Sequence, residues 1–388
     1  MRLSLVLLVA MALGCATAAP RTKTGPRLAA HGEPSQAPPR VPLDHLLDPD
    51  APWGGGPSTL DEPAILRITV AQIGERYYDP AAADGKRMFD AILDAWVQGS
   101  GGALKREGRE LVIGRSRRAL DPVEAVWQIP IRVQAASGFL LRELPEGNPL
   151  KRGFVAEFVA VDAMLATLTP YDTLVLPDVW RKNAAPPEAK PEGLPAGIVY
   201  FKPGPFAPPV VDAMRAGLEK AQAVILDLRG HRGGPPDATA DVADLFLSSG
   251  PIFTANERDA SRQFDAQDDG LASERAKIVV LVDSRTAAGA EVVAQSLRLA
   301  GRAILLGEST AGCGLLQILF NYLPGGHQEL RVGVRLTVAE AFLGGQPFQG
   351  KPFAPDVSQA EDPVGAAVRI LQAAAGASRA DLLTAAKR

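Results

Sequence analysis

Residues Ala223-Val-Ile-Leu-Asp-Leu-Arg-Gly-His-Arg-Gly-Gly234 decide the fold of this chain. Ala223 to Leu228 is an apolar run broken only by Asp227. A run this short and this apolar reads as a strand buried on both faces. The two glycines that follow let the backbone turn tightly and bring bare N–H groups close to a neighbour. Paired donors of that kind suit a developing oxyanion; a plain strand-to-helix turn uses them equally well. Gly233 and Gly234 are the candidate donors, with Gly289 as a further contributor.

Outward from this stretch, short apolar strands at 198–201, 278–282 and 303–306 alternate with helical patterns at 210–220, 238–247 and 290–300. Strand and helix in turn indicate an α/β domain, assigned to 197–375, with a C-terminal tail at 376–388. Upstream the pattern is mainly helical over 61–183. Ile65, Ile68, Ile73 and Tyr77 share one face, and Pro80 stops that helix. Met88, Phe89, Ile92, Leu93 and Trp96 mark a second helix. Leu111-Val112-Ile113 reads as a short strand, 122–141 fits helix or strand, and 155–168 is a further helix stopped by Pro170. A Pro-rich linker at 184–196 separates the two regions.

The chain starts with Arg2 and an apolar stretch from Leu3 to Leu13. That is short of the roughly 20 residues a spanning helix needs, so 1–19 reads as a secretory signal. Ala12-Leu13-Gly14-Cys15 resembles a bacterial lipobox, with Ala12 where Leu is preferred and Cys15 as the lipidated residue. Ala16-Thr17-Ala18 resembles an ordinary cleavage site. Both imply export, to the periplasm or, as a lipoprotein, the outer membrane. Residues 20–60 are a Pro/Gly-rich tether that cannot bury a core of its own. With Cys15 lipidated or removed, Cys313 is the remaining thiol, so no disulfide staples the fold. With a net charge of -3, nothing suggests a nucleic-acid binder, which would need a basic face. The run from Lys105 to Arg118, interrupted by Glu107 and Glu110, reads as a solvated hairpin or loop. His31, His45, His231 and His327 have no ligand spacing, so neither metal nor cofactor is expected.

The opening stretch resembles the strand and D-L-R-x-x-x-G-G turn of the C-terminal processing (tail-specific) peptidase family. Gln349-Gly-Lys351 and Pro355-Asp-Val357 resemble the family's closing Q-G-K-x-x-x-P-D-V. Tyr78-Asp79-Pro80 and Met164-Leu-Ala-Thr-Leu-Thr-Pro-Tyr-Asp172, similar to M-L-x-x-L-D-P-H-S, extend the resemblance into the helical region. It implies a spiral core related to the crotonase and Clp-protease folds. The family's PDZ domain is missing from the short stretch between Arg181 and Ile198.

The resemblance also implies a Ser-Lys dyad, and here the chain departs from it. The family's S-A-S-A-S-E becomes Thr286-Ala287-Ala288-Gly289-Ala290-Glu291, with Ala288 at the nucleophile. The family's G-K-G-x-x-Q becomes Gly312-Cys313-Gly314-Leu315-Leu316-Gln317, with Cys313 at the base and Gln317 retained. Cys313 follows Ala288 by 25 positions, the family's own separation. The dyad works because burial lowers the lysine pKa enough for the amine to take the serine proton. A methyl group attacks nothing, and no lysine occurs between Lys277 and Lys351. Loss of a nucleophile costs on the order of 10⁶ in rate in subtilisin.

The expectation is therefore a catalytically degenerate family member that binds or scaffolds an envelope protein or peptide. An association with an active paralogue is a further possibility, and lipid is the expected membrane contact. The rival is an active peptidase, serine-type or with Cys313 as nucleophile and His231 or His327 as base.

Overall fold

The computed structural model describes residues 40–387 apart from 57, 179–190, 192, 324–330 and 359–360. The signal segment, Cys15, His31, His327, residues 20–39 of the tether and most of the linker lie outside the described residues. The described part of the expected tether is instead ordered, with a helix at Leu43–Leu46 and with Leu46, Trp53 and Leu60 buried in the N-terminal core.

The central layer is a parallel sheet in the order β14-β10-β9-β6-β5. Its strands are β5 (Ile198–Phe201), β6 (Ala223–Asp227), β9 (Lys277–Val282), β10 (Ala303–Gly307) and β14 (Val357–Ser358). Alternate side chains of the same strands feed two different cores, which is why these strands are apolar throughout. Val224, Leu226, Val280 and Leu305 pack against α6 (Pro208–Leu218), α7 (Pro236–Asp244) and α8 (Gly289–Leu299). Ile225, Val279, Leu281 and Ile304 pack against α9 (Pro363–Ala373) and α10 (Arg379–Ala386). The segment expected as a C-terminal tail is thus largely helical. Leu382 and Ala385 are buried, and Ser378 caps the helix by accepting from the Asp381 N–H. Asp356 of the Pro-Asp-Val motif receives the Leu305 N–H at 2.9 Å and pairs with Arg298 and Arg379, joining β10, α8 and α10.

Beyond α7 and α8 lies a second, antiparallel sheet that the sequence reading did not contain. It is built from β7 (Pro251–Glu257), β8 (Ser261–Asp265), β11 (Leu315–Tyr322) and β12 (Val332–Leu343) in the order β11-β12-β7-β8. The short β13 (Gln346–Pro347) and β4 (Thr173–Val175) also pair with β12. β12 carries Val332, Val334 and Leu336 into the core of the N-terminal helices, and Ala339 and Ala341 into the core shared with α8.

Those N-terminal helices are α1 (Leu43–Leu46), α2 (Ala64–Arg76), α3 (Gly85–Gly99), α4 (Ile129–Glu143) and α5 (Val155–Leu165). The ambiguous 122–141 stretch resolves as helix α4. A small antiparallel sheet of β1 (Lys105–Glu107), β2 (Glu110–Ile113) and β3 (Ser116–Ala119) carries the basic run. There Arg117 pairs with Glu107 and Glu110, and Arg106 with Asp90 and Asp94. Because β4 pairs with β12, the helical region is built onto the antiparallel sheet by backbone pairing. Among the described residues no helix is long and apolar enough to cross a membrane.

Candidate functional site

The site forms where α8 starts, above the ends of β6 and β9. Thr286 is buried, and its hydroxyl donates to the Leu228 carbonyl at 2.8 Å. It therefore points away from the cleft. The Ala287 N–H donates to the His231 carbonyl at 2.9 Å. Ala288 follows at φ 52° and ψ -124°, the only non-glycine residue among those described with positive φ. A side chain in that region costs about 1–3 kcal/mol and persists only when its surroundings enforce it.

The enforcing group is Glu291, one turn into α8 and fully buried. Its Oε2 accepts the Ala288 N–H at 3.1 Å and the Cys313 N–H at 2.7 Å, while Oε1 accepts the Gly312 N–H at 2.7 Å. Burial pushes its carboxyl up to about 7, against the Thr310 hydroxyl and these three amides, which favour the charge. The residue stands in the run that resembles the family's nucleophile segment, but its clamp across two segments is visible only in three dimensions.

Cys313 is 1% exposed, with its thiol directed at the Leu315 carbonyl at 3.5 Å. Burial, and then the neighbouring Glu291, pushes the thiol up to about 12, so it is neutral at pH 7. The loop is shaped by glycines: a Cβ on Gly312 would meet the Pro352 nitrogen at 2.7 Å. The Gln349-Gly-Lys351 motif packs here, with the Gly314 N–H donating to Gln349 Oε1 and the Gly350 N–H to the Gly312 carbonyl, both at 2.7 Å. Gln317 turns its amide onto the Leu315 carbonyl of its own loop.

Tyr171, from the Met164–Asp172 motif, is buried with its hydroxyl beside the Cys313 thiol and the Gln349 amide. Sequence reasoning missed this contact, since nothing in spacing links residues so far apart. Asp172 fastens the motif to β12: it accepts the Thr169 N–H at 2.9 Å and the Thr337 N–H at 2.5 Å.

The glycine turn closes the site from the other side. Gly233 has φ +78°, and a Cβ there would lie 2.4 Å from Gly289 Cα, so the β6 turn rests directly on the start of α8. The Gly233 N–H, one of the expected oxyanion donors, is committed to His231 Nδ1 at 2.8 Å. His231 Nε2 faces the Gly204 carbonyl at 2.8 Å and carries the proton, and the ring packs on Phe206 with centroids 4.4 Å apart. His231 is thus an engaged, neutral ring whose pKa burial lowers, and both its nitrogens are occupied. The Gly234 N–H lies 3.1 Å from where a Gly289 Cβ would stand. Among the described residues, the Gly234 and Gly289 N–H groups make no hydrogen bond, leaving two neighbouring donors beside Ala288.

A cavity of about 530 Å³ lies elsewhere, lined by Ile65, Ile68, Phe154, Glu157, Tyr322 and Leu323, and shares no residue with this site.

Residues 207–359 match peptidase family S41. The chain is 38% identical over 121 residues to the carboxyl-terminal-processing protease of Synechocystis sp., covering 31% of this chain and 26% of that protein. It is 35% identical over 131 residues to carboxyl-terminal-processing peptidase 1, chloroplastic, of Arabidopsis thaliana, covering 33% and 27%. The match thus spans about a quarter of the length of these relatives. Among solved structures, a photosystem II D1 C-terminal processing protease aligns at 25% identity with a TM-score of 0.35, covering 48% of this chain and 50% of that one.

Proposed function

Because residues 207–359 form a peptidase family S41 domain, we propose that this protein is a catalytically inactive C-terminal-processing peptidase homologue, exported to the cell envelope, that binds a peptide or protein segment there. One observation carries the reading. Glu291 still clamps the nucleophile and base positions together, yet those positions hold a methyl group and a buried, neutral thiol. In this reading the clamp holds the two segments together although neither position carries a group that could perform the dyad's chemistry.

Several features support this reading. Gly234 and Gly289 offer paired N–H donors, which can hold a peptide carbonyl without cleaving it. The parallel sheet with its packed helices is consistent with the crotonase- or Clp-like spiral. Only residues 176–197 separate β4 from β5, too few for a PDZ domain of ordinary size. The short apolar leader and Cys15 support export and lipidation. The rival mechanism, a Cys313 nucleophile with a His231 base, meets a thiol raised by burial and a ring with both nitrogens engaged.

The mature chain should capture a specific polypeptide from an envelope extract, and calorimetric titration of the mature chain with an unstructured peptide should show saturable binding. Failure of both would remove the binding role.

A further inference from the structure

The cavity of about 530 Å³ lies where the start of α2, the start of α5 and the end of β11 meet. Its volume falls in the range of small-molecule sites. One wall is apolar and is made by Ile65, Ile68, Phe154, Tyr322 and Leu323. Ile68 and Leu323 are 39% and 41% exposed, two of the six large apolar side chains left open to solvent among the described residues, and they line this one cavity. Single exposed apolar side chains are ordinary; two on one concave surface mark a place for an apolar ligand to cover.

The walls are fixed by their own contacts. Buried Glu157 of α5 accepts the Ile65 and Leu66 N–H groups at 2.6 and 3.0 Å and the Thr59 hydroxyl at 2.8 Å, so it fastens the first turn of α2 and the loop before it. Phe154 stacks on Phe158 with ring centroids 5.6 Å apart. Asp61 Oδ1 accepts the Ser137 hydroxyl at 3.1 Å, which holds that carboxylate from α4.

The charge around the cavity selects the ligand. The start of a helix ordinarily favours an anion through its free N–H groups, but at α2 Glu157 already takes two of them. Asp61 and Glu62 line the cavity and are exposed, and among the described residues neither forms an ion pair. No Lys, Arg or His is among the described lining residues; Arg67, which acts on Glu157, is exposed outside the lining. Carboxylates alone would make a solvated rim. Beside an apolar hollow with aromatic rings they repel an anion and attract an organic cation whose body the hollow covers.

We propose that this cavity is a binding site for a small amphipathic cation, an apolar body bearing a protonated amine. Asp61 and Glu62 supply its counter-charge, and Ile68, Phe154, Tyr322 and Leu323 cover its apolar body.

The test is calorimetric titration of the full mature chain with octylammonium chloride, octanol and octanoate at neutral pH. Octylammonium should bind saturably and about tenfold more tightly than octanol, and octanoate should bind more weakly than either. Asp61→Asn/Glu62→Gln should bring octylammonium down to the affinity of octanol. Ala64→Trp, at an exposed position of the same lining, should fill the cavity and abolish binding of both. Ile68→Ser, which only trims the wall and guards against misfolding of the first variant, should weaken both. Equal binding of the three ligands would overturn the charge selection and with it the proposal. Binding that neither Ala64→Trp nor Ile68→Ser changes would lie elsewhere and overturn the site, as would no binding at all. Binding of acetyl-Leu-Leu-Lys amide that both variants weaken, without binding of octylammonium, would give the cavity to a polypeptide and overturn the small-molecule occupant.

Discussion

Ala288 and Cys313 hang their backbone N–H groups on the same oxygen of Glu291, at 3.1 and 2.7 Å. Their nitrogens can be no further apart than those two bonds allow. The positions that resemble nucleophile and base are thus brought together by a carboxylate that belongs to neither, and the clamp does not depend on which side chains they carry.

The strain at Ala288 should be relieved by Ala288→Gly, since glycine adopts positive φ without penalty. Stability in urea should rise by about 1 kcal/mol, the part of the strain that exceeds glycine's extra unfolded-state entropy. An unchanged midpoint would mean that Ala288 is not held at φ 52° in solution.

Glu291→Gln should cost about 1–3 kcal/mol, because one half of the amide presents a donor to backbone donors. The pH dependence has a definite sign. The folded carboxyl titrates near 7 against an ordinary 4.5, so between those values the folded state holds more protons than the unfolded one. Stability from this group is therefore greatest in acid, falls as pH rises through that window and levels off above it, a change of roughly 3 kcal/mol. Urea denaturation at several pH values should show a shallower slope for Glu291→Gln than for the native chain.

Cys313 should resist iodoacetamide at pH 8 in the native state and react readily in denaturant. A buried thiol with a pKa near 12 is neither accessible nor ionised. Mass spectrometry of the peptide containing Cys313 reads this directly. Rapid native labelling would place the thiol in an open, ionisable setting.

Two glycines of the same turn should differ sharply on substitution. Gly233→Ala drives a Cβ to 2.4 Å from Gly289 Cα and forces positive φ, and should cost about 3 kcal/mol or more. Gly230→Ala meets nothing nearer than the Arg285 side chain at 3.7 Å. It bears only the φ penalty of about 1 kcal/mol. Thermal melts of the two variants separate backbone contact from backbone conformation.

Much of the parallel layer was legible because β6, β9 and β10 are buried on both faces and read as unbroken apolar runs. Helix α8 announced itself by its amphipathic pattern. The antiparallel sheet did not. β12 is covered on both sides by different layers, and the exposed edge strand β8, Ser261–Asp265, carries mostly polar residues, so neither shows clean alternation. Helix α10 was hidden because few apolar side chains besides Leu382 anchor its Ala-rich sequence. At the site, Ala288 and Cys313 could be read from motif spacing. The Tyr171–Cys313 contact could not, because it depends on which segments the fold brings together across a long stretch of chain. The commitment of the Gly233 N–H to His231 is local, two residues apart, and is set by the turn's backbone geometry, which the sequence left open.

The most direct measurement is release of fragments from an unstructured protein by the purified mature chain, beside the Ala288→Ser/Cys313→Lys double variant. Absence of cleavage by the native chain, with measurable cleavage by the double variant, is the expected result, since Glu291, Gly234 and Gly289 already frame the site. Cleavage by the native chain at a rate comparable with the double variant would contradict it and show that the cleft retains a working nucleophile.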